Sequence, residues 1–351
     1  MSTHIDAMRR AIEFGTPPYI PMELVDVPFL YNAYGTQDPG GVVVPAGAES
    51  FDSAWCTYHW TFTDAGATDD GEPLRTEEWG CRQVVPKDKG VAYAVVEKPG
   101  FASFADIAPH PWPDPELTNP FFEQRKQIIE QHYADRFICG FIDPGPFLVA
   151  FNLFGYDGLL LQLCDNLDLV KAVVRRIVDY QLALVPKFSA MGAHMVNIID
   201  EVAGTAGLMF SPDQFREHFL PMFAELIAEI HRHNMYASIL LDGNITEILP
   251  DVMALDLDQI LFAQPQSTGI DTIAEFCRGK RCVKMAVDMM VTLAKGTPAE
   301  IEADVAAMVE RLNTPRGGLV FQALRWHRPE YDAQRVEAQI RAMNRYREGA
   351  L

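Results

Sequence analysis

The chain has 351 residues, of which 48% are hydrophobic and 22% are charged, as is usual for a soluble globular protein. Acidic residues number 48 against 29 basic ones, for a formal net charge of −19, which argues against binding to nucleic acid or to an anionic membrane surface. The length suits either two average domains or one large α/β barrel.

The part of the chain before about residue 120 is irregular and rich in Pro, Gly, Asp and aromatic residues. Short strands are predicted near 19–22 and at 90–98. No signal peptide is predicted, and the most apolar stretch, 137–163, is broken by Asp-Pro-Gly-Pro and so does not predict a membrane span. The six cysteines form no Cys-x-x-Cys pair. We therefore expect reduced thiols and a cytoplasmic protein.

From residue 119 onwards, short apolar runs alternate with amphipathic helical patterns. Helices are predicted from Asn119, over 166–191 and over 211–233, and another opens with the capping box of Thr297 and Glu300. The strand-like runs are 136–143, 195–200, 236–242, 259–265, 282–288 and 317–324. This alternation predicts a parallel sheet covered by helices, and six units favour a (β/α)8 barrel of the TIM type. We interpret residues 1–351 as one domain, with 1–118 as an irregular N-terminal extension and 119–351 as the main run of β/α units.

Polar residues follow most of these runs, where the strands of a parallel barrel point toward the active-site face. They are Asp143, Asp200 with Glu201, Asp242, Gln264, Asp288 and the run Arg325-Trp326-His327. Several carboxylates at one rim repel one another unless a proton, an arginine or a metal ion relieves the repulsion. Any single Asp after a strand is better explained as a turn or helix cap, but the set together indicates a site.

Two further groups leave alternatives open. His327 could equally well act as an acid–base group or fill a packing or hydrogen-bonding role. The cluster from Trp55 to Phe62 includes Tyr58, His59 and Trp60, whose rings would cover a pocket for a planar ligand. The favoured interpretation of this cluster is a half-buried strand or loop packed on the barrel.

The stretch His231-Arg232-His233 ends a long helix, where cations complement the helix dipole, and is interpreted as structural.

The stretches IIDEVAGTAGLMFSPDQFREHFLPMF, HRHNMYASILLDGNITEILPDVMALDLDQILFAQP, CVKMAVDMMVTLAKGTPAEIEADVAAMVERL and RGGLVFQAL resemble the uroporphyrinogen decarboxylase superfamily. The upstream stretches EEWGCRQ and PGFASFADIAPHPWPDP resemble its methyltransferase-like branch. The resemblance covers about residue 77 to the C-terminus and implies a (β/α)8 barrel. It also implies either porphyrinogen decarboxylation or methyl transfer to corrinoid proteins.

Departures from the family patterns narrow this choice. The Arg-rich motif that grips a porphyrin falls near 19–25, which reads YIPMELV, and the pocket tyrosine position is Asn152; porphyrinogen decarboxylation is therefore disfavoured. The zinc-binding His-x-Cys-Gly of the methyltransferases is Leu240-Leu241-Asp242-Gly243, and no cysteine lies near Asp288. A thiolate-rich zinc site is thus not expected.

The resemblance then implies a methyltransferase that demethylates a small methoxylated, aromatic compound. Glu201, Asp242 and Asp288 would bind a divalent metal through oxygen (zinc or another) or would protonate the leaving oxygen. Arg325 and His327 complete the expected catalytic set. The expected substrate contacts are Tyr58, His59, Trp60, Trp79, Asn152, Gln264 and Trp326.

The methyl acceptor would be a corrinoid on a partner protein or tetrahydrofolate, since the chain has no Asp-x-His-x-x-Gly stretch for cobalamin. A metal-independent decarboxylase or lyase of a small carboxylate is the alternative within enzymes, with Arg325 binding the carboxylate and Asp200 or Glu201 transferring the proton. A barrel that only binds a ligand or partner is the third. The oligomeric state is open, a homodimer included.

Overall fold

A computed structural model describes residues 3–26, 51–57, 62–84, 95–96, 101–325 and 333–349. Its strands are β1 (Met22–Asp26), β2 (Ser53–Thr57), β3 (Phe62–Ala67), β4 (Pro73–Glu77), β5 (Arg82–Val84), β6 (Val95–Val96), β7 (Phe137–Ile142), β8 (Met195–Asp200), β9 (Ala203–Gly204), β10 (Gly207–Leu208), β11 (Tyr236–Leu241), β12 (Gln259–Phe262), β13 (Cys282–Ala286) and β14 (Leu319–Arg325). Its α-helices are α1 (Thr3–Ile12), α2 (Asn119–His132), α3 (Pro146–Phe154), α4 (Tyr156–Asp165), α5 (Leu167–Met191), α6 (Pro212–Gln214), α7 (Leu220–Arg232), α8 (Leu249–Met253), α9 (Pro265–Thr268), α10 (Ile270–Cys277), α11 (Thr292–Lys295), α12 (Pro298–Leu312) and α13 (Ala333–Gly349).

Eight strands form one parallel sheet in the order β1-β14-β13-β12-β11-β8-β7-β2. Its two ends meet beside Asp52: the Met22 N–H donates to Asp52 Oδ2 at 2.9 Å, and the Asp52 N–H donates to the Met22 carbonyl at 2.9 Å. Asp52 is fully buried and also accepts from the Tyr19 hydroxyl at 2.8 Å and the Arg347 guanidinium at 2.9 Å. The predicted (β/α)8 barrel is confirmed. The buried carboxylate of Asp52 joins β1 and β2, which stand at the two ends of the strand order.

The N-terminal segment is more regular than the sequence suggested. It supplies two barrel strands, β1 and β2, so the barrel begins well before residue 119. The strand predicted near 19–22 begins only at Met22. Of the aromatic cluster, residues 53–57 form β2 within the ring, whereas Tyr58, His59 and Trp60 lie outside the described residues. Strands β3 to β6 form a separate antiparallel sheet, and of the predicted strand 90–98 only 95–96 is described.

The predicted strands after residue 119 are confirmed within a few residues, as are the helices. One helix is interrupted: over 211–233, a π-helical turn at Phe215–Phe219 separates α6 from α7. Pro221 lies just beyond this turn and has no N–H to continue the regular α-helical pattern. The Ser211 hydroxyl caps the start by accepting from the Asp213 N–H at 3.2 Å. Where the stretch ends, His231 pairs with Asp258 at 2.8 Å, as expected for a structural role.

Helix α1 closes the N-terminal end of the barrel. Its residues Met8, Ala11 and Ile12 pack in one buried cluster with barrel residues of β7, β8, β13 and β14. Helix α1 therefore covers this end of the barrel, and the carboxyl ends of the strands lie at the opposite end. Among the described residues no single helix is long and apolar enough to span a membrane, although the bent pair 146–154 and 157–165 meets the criteria of length and composition. Of the cysteines, those at 81, 139, 164, 277 and 282 are free thiols.

Candidate active site at the carboxyl ends of the strands

Alternation along the barrel strands determines which acidic residues face the barrel axis. Phe137, Cys139 and Phe141 of β7 share the interior cluster with helix α1, so every second residue of this strand points inward. Asp143 continues that series two positions beyond Phe141. On β8, β11 and β13 the corresponding inward positions beyond the strands are Glu201, Asp242 and Asp288. Period-two geometry thus places four carboxylates that are far apart in the sequence at the carboxyl ends of the strands. We call this end of the barrel, defined by Asp143, Glu201, Asp242 and Asp288, the mouth.

Negative charge from neighbouring acids acts on two of these groups, Asp242 and Asp143. The pKa of Asp242 is raised to about 7 because the carboxyl is buried and because Glu201, Asp143 and Asp288 add negative charge around it. Burial and the charge of Glu201 likewise raise the pKa of Asp143 to about 7. The pKa of Glu201 is raised by its poorly hydrated surroundings, although its side chain is partly open to water at the surface. Around pH 7 the cluster therefore retains at least part of one proton.

Asp288 differs from the other three because its oxygens are occupied. Oδ1 accepts from the N–H groups of Met290 and Val291 at 3.0 and 2.9 Å, and Oδ2 accepts from the N–H of Gln266 at 3.0 Å. The side chain is almost fully buried. Asp288 therefore holds the loop after β13 and adds negative charge to the site, as the turn-and-cap interpretation of strand-end aspartates predicts.

Asp200 precedes Glu201 but faces the opposite side of β8. Its carboxylate accepts from the N–H groups of Phe147, Leu148 and Glu201 at 2.8, 2.7 and 2.9 Å, and so caps helix α3. A Cβ added at Gly145 would lie 2.6 Å from Asp200 Oδ2, so only glycine fits against this cap. Burial still raises the pKa of Asp200 to about 7, with the three hydrogen bonds opposing the shift. Asp200 is thus a structural residue, and the role in proton transfer considered for the alternative decarboxylase has no geometric support.

Asp143 is the member of the cluster that the sequence-based list of site residues omitted, although it ends a predicted strand. The signal that identifies it is its position: it follows the interior residue Phe141 by two, as Asp242 follows Leu240. If every second residue is counted along each strand from a known inward position, the count reaches the four clustered acids and passes over Asp200. Taking the last residue of each predicted strand does not make this distinction.

Of the remaining predicted site residues, the structure describes the side chains of Trp79, Asn152 and Gln264, which lie apart from one another on different elements. Trp79 is 1% exposed and lies behind the mouth, packed edge-on against Tyr180 with ring centroids 5.0 Å apart. Asn152 is half-buried on α3, and Gln264 is half-buried at the start of α9. Arg325 ends β14, but its side chain is outside what the structure describes, as are Tyr58, His59, Trp60, Trp326 and His327 entirely. The roles expected for these residues stay predictions.

The donor set offers little to a metal ion. In the described part of the chain no three His, Cys, Asp or Glu side chains are arranged to share one ion. Asp288 has both oxygens engaged by backbone N–H groups, which leaves Glu201 and Asp242 without a third free ligand from the expected set. The oxygen-ligated metal stays a prediction that this arrangement does not favour.

A family profile described as uroporphyrinogen decarboxylase (URO-D) matches residues 75–346, more than half of the chain. The chain belongs to the URO-D family. No curated protein gives a significant match. Among solved structures, a methyltransferase from Methanosarcina mazei is similar over 99% of both chains, with a TM-score of 0.70 and 16% identity. A B12-independent methionine synthase from Shewanella sp. W3-18-1 is similar over 83% of this chain and 73% of its own, with a TM-score of 0.46 and 11% identity.

Strand β1, which precedes the residues that match the URO-D profile, carries a buried charged residue. Such a charge is unusual in the interior of a barrel. Glu23 and Lys284 are both fully buried and form an ion pair at 2.8 Å. Ser53 and Gln322 donate to Glu23 at 3.0 and 3.4 Å, and Lys284 donates to Asn197 at 3.2 Å. On β13, Lys284 lies two inward positions below Asp288, with Ala286 between them. This URO-D barrel therefore has an internally neutralised polar layer separate from the acidic mouth.

Proposed function

We propose that this URO-D family protein is a methyl-transfer enzyme that demethylates a small methoxylated, aromatic compound at the acidic mouth of the barrel. The observation that carries the proposal is the cluster of Asp143, Glu201 and Asp242, in which the pKa of two members is about 7. A carboxylic acid that keeps its proton near neutral pH is the group needed to protonate a leaving oxygen.

The bond changes balance with one nucleophilic acceptor and one proton donor. A nucleophilic acceptor takes the methyl group as the carbon–oxygen bond breaks, and the bonding pair stays on the oxygen. Asp242 or Asp143 then gives its proton to this oxygen, so that a phenol leaves and the carboxylate remains. The acceptor, a corrinoid on a partner protein or tetrahydrofolate, would supply the nucleophile.

The charge of the mouth bears on which substrates fit. Within the described residues the mouth carries four acids, and an anionic substrate would add to their repulsion. Neutral methoxyphenols are therefore expected to react better than methoxybenzoates. The decarboxylase alternative keeps one supporting observation, because an acid with a pKa near 7 also suits protonation of the carbanion left after loss of carbon dioxide. It requires a cation for the substrate carboxylate, the role expected of Arg325.

The test is a methyl-transfer assay with purified protein, using reduced cobalamin or tetrahydrofolate as acceptor and a panel of neutral and carboxylated methoxyarenes. We expect phenol formation from a neutral donor, with a rate that falls as the pH rises through about 7, where Asp143 and Asp242 lose their protons. A chelator should leave the rate unchanged. Carbon dioxide release from an aryl acid, with no methyl transfer from any donor, would support the decarboxylase instead.

Matched variants locate the site. Asp242→Asn and Asp143→Asn should each lower kcat by a factor of about 1,000, the middle of the range of roughly 100 to 10,000 for removing a general acid. Asp70→Asn, at an exposed turn between β3 and β4, should leave it unchanged. Full activity in both the Asp242 and the Asp143 variants would show that the mouth is not the site.

A further inference from the structure

A small cavity lies behind the acidic mouth, where β7 meets helix α5 and the turn between β4 and β5. Trp79, Asp143, Tyr180 and Gln181 are among the residues that line it, and its volume is about 10 Å³. This is close to the smallest space that holds one water molecule. The cavity touches the mouth through only one of the clustered acids, Asp143.

Two buried polar atoms of this lining have no hydrogen-bond partner among the residues that the structure describes. They are Trp79 Nε1, which is a donor, and Gln181 Oε1, which is an acceptor. The side chains are 1% and 2% exposed, so bulk water does not reach them freely. The other end of the Gln181 amide donates to the Pro144 carbonyl at 3.0 Å, which fixes which end is the free oxygen. Buried polar groups left unpaired are unfavourable and are uncommon in folded proteins.

We propose that one ordered water molecule occupies this cavity, accepts a hydrogen bond from Trp79 Nε1, donates one to Gln181 Oε1 and donates the other to the Asp143 carboxyl. A water molecule can donate two hydrogen bonds and accept two, and the lining supplies two acceptors and one donor. A water needs two to four polar partners to be held in a buried site, and here it has three.

The consequence is that Trp79 and Gln181 are positioning residues for Asp143. Asp143 faces Glu201 from β8 and Asp242 from β11, and both of these are acids that repel it. Neither of them lines the cavity. The water therefore gives Asp143 a fixed hydrogen bond on the side away from the mouth and orients its carboxyl toward the substrate. The water site itself does not depend on the proposed function, whereas an effect of this orientation on turnover does.

The direct test is a high-resolution crystal structure of the full chain. We expect an electron-density peak within about 3.2 Å of Trp79 Nε1, Gln181 Oε1 and an Asp143 oxygen. In solution, the Trp79 indole N–H resonance should show magnetisation transfer from a long-lived water. An empty cavity in the crystal, together with an indole N–H that shows no such transfer, would overturn the proposal.

Variants test the positioning role. Trp79→Phe removes the donor, and we expect the peak to disappear and the Asp143 carboxyl to rotate. Gln181→Met keeps the side-chain length and provides a second route if the Trp79 variant does not fold. Tyr180→Phe is the control, because its hydroxyl donates weakly to Glu78 Oε1 at 3.4 Å and the ring that lines the cavity is retained. An unchanged Asp143 orientation in both test variants would refute the positioning role.

Activity gives an independent readout. Loss of one hydrogen bond to the acid should lower kcat by about tenfold, which corresponds to roughly 1.4 kcal/mol, with KM unchanged because the substrate contacts remain. In an Asp143→Asn background the same change should have little further effect. A wild-type protein that contains the water but transfers no methyl group would refute the proposed function and leave the water site standing.

Discussion

Replacing Asp242 with asparagine should stabilise the protein while removing activity, and the stabilisation should depend on pH. In the folded chain the pKa of Asp242 is raised from 3.8 to about 7 by burial and by the neighbouring acids. Below about pH 4 the residue is protonated in both the folded and the unfolded states, and its shift has no effect on stability. Between these values the unfolded chain releases a proton that the folded chain keeps, so the free energy of unfolding of the wild type falls as the pH rises.

The magnitude follows from the displacement of the pKa. A change from 3.8 to about 7 corresponds to roughly 4 kcal/mol for an isolated, fully desolvated group. Asp242 is only half-buried, so water screens part of this, and a gain of about 1–3 kcal/mol at pH 8 is a realistic expectation. Asparagine has nearly the same shape and carries no charge, so packing changes little.

The assay is urea unfolding of the wild type and the variant at pH 4, pH 6 and pH 8, with Asp70→Asn as the exposed control. The variant's advantage should be near zero at pH 4 and should grow toward pH 8, and the control should show no trend. A variant that is equally or less stable than the wild type at every pH would refute the clustering of charge around Asp242.

Three further changes test the surroundings of the site, each by the free energy of unfolding. Asp200→Asn should destabilise the protein by about 2–3 kcal/mol, because one amide oxygen cannot replace a carboxylate that accepts three backbone N–H groups; an effect near zero would remove its role as a cap. Lys284→Met should destabilise by about 3–5 kcal/mol by leaving Glu23 charged and buried, and adding Glu23→Gln should restore part of this; a double variant as unstable as the single one would contradict the pairing. Gly243→Ala should destabilise by about 3 kcal/mol or more, since φ is +89° and the new Cβ would lie 2.3 Å from the Ala203 carbonyl oxygen; circular dichroism melting that matches the wild type would show that the loop adapts.

Periodicity in the sequence was enough to predict the barrel from residue 119 onwards, because each buried parallel strand and each amphipathic helix carries its own local pattern. The same local signals placed β1 only approximately, near 19–22, and left β2 open between a strand and a loop. β1 is short, and the aromatic-rich stretch containing β2 reads equally well as a loop. What makes both of them barrel strands is the ring closure through Asp52, a contact between segments 30 residues apart.

The amino-acid sequence alone determined that acidic residues end several strands and that no His-x-Cys-Gly stretch follows β11, since residue identities are sufficient for both. Only the tertiary structure decided which of these acids meet. Asp200 and Glu201 are neighbours in the chain, yet the pleat of β8 sends one to cap helix α3 and the other to the mouth. The inward set of Asp143, Glu201, Asp242 and Asp288 exists because eight tilted strands close into a ring. That closure brings carboxylates from distant parts of the chain close enough for the negative charge of one to raise the pKa of another.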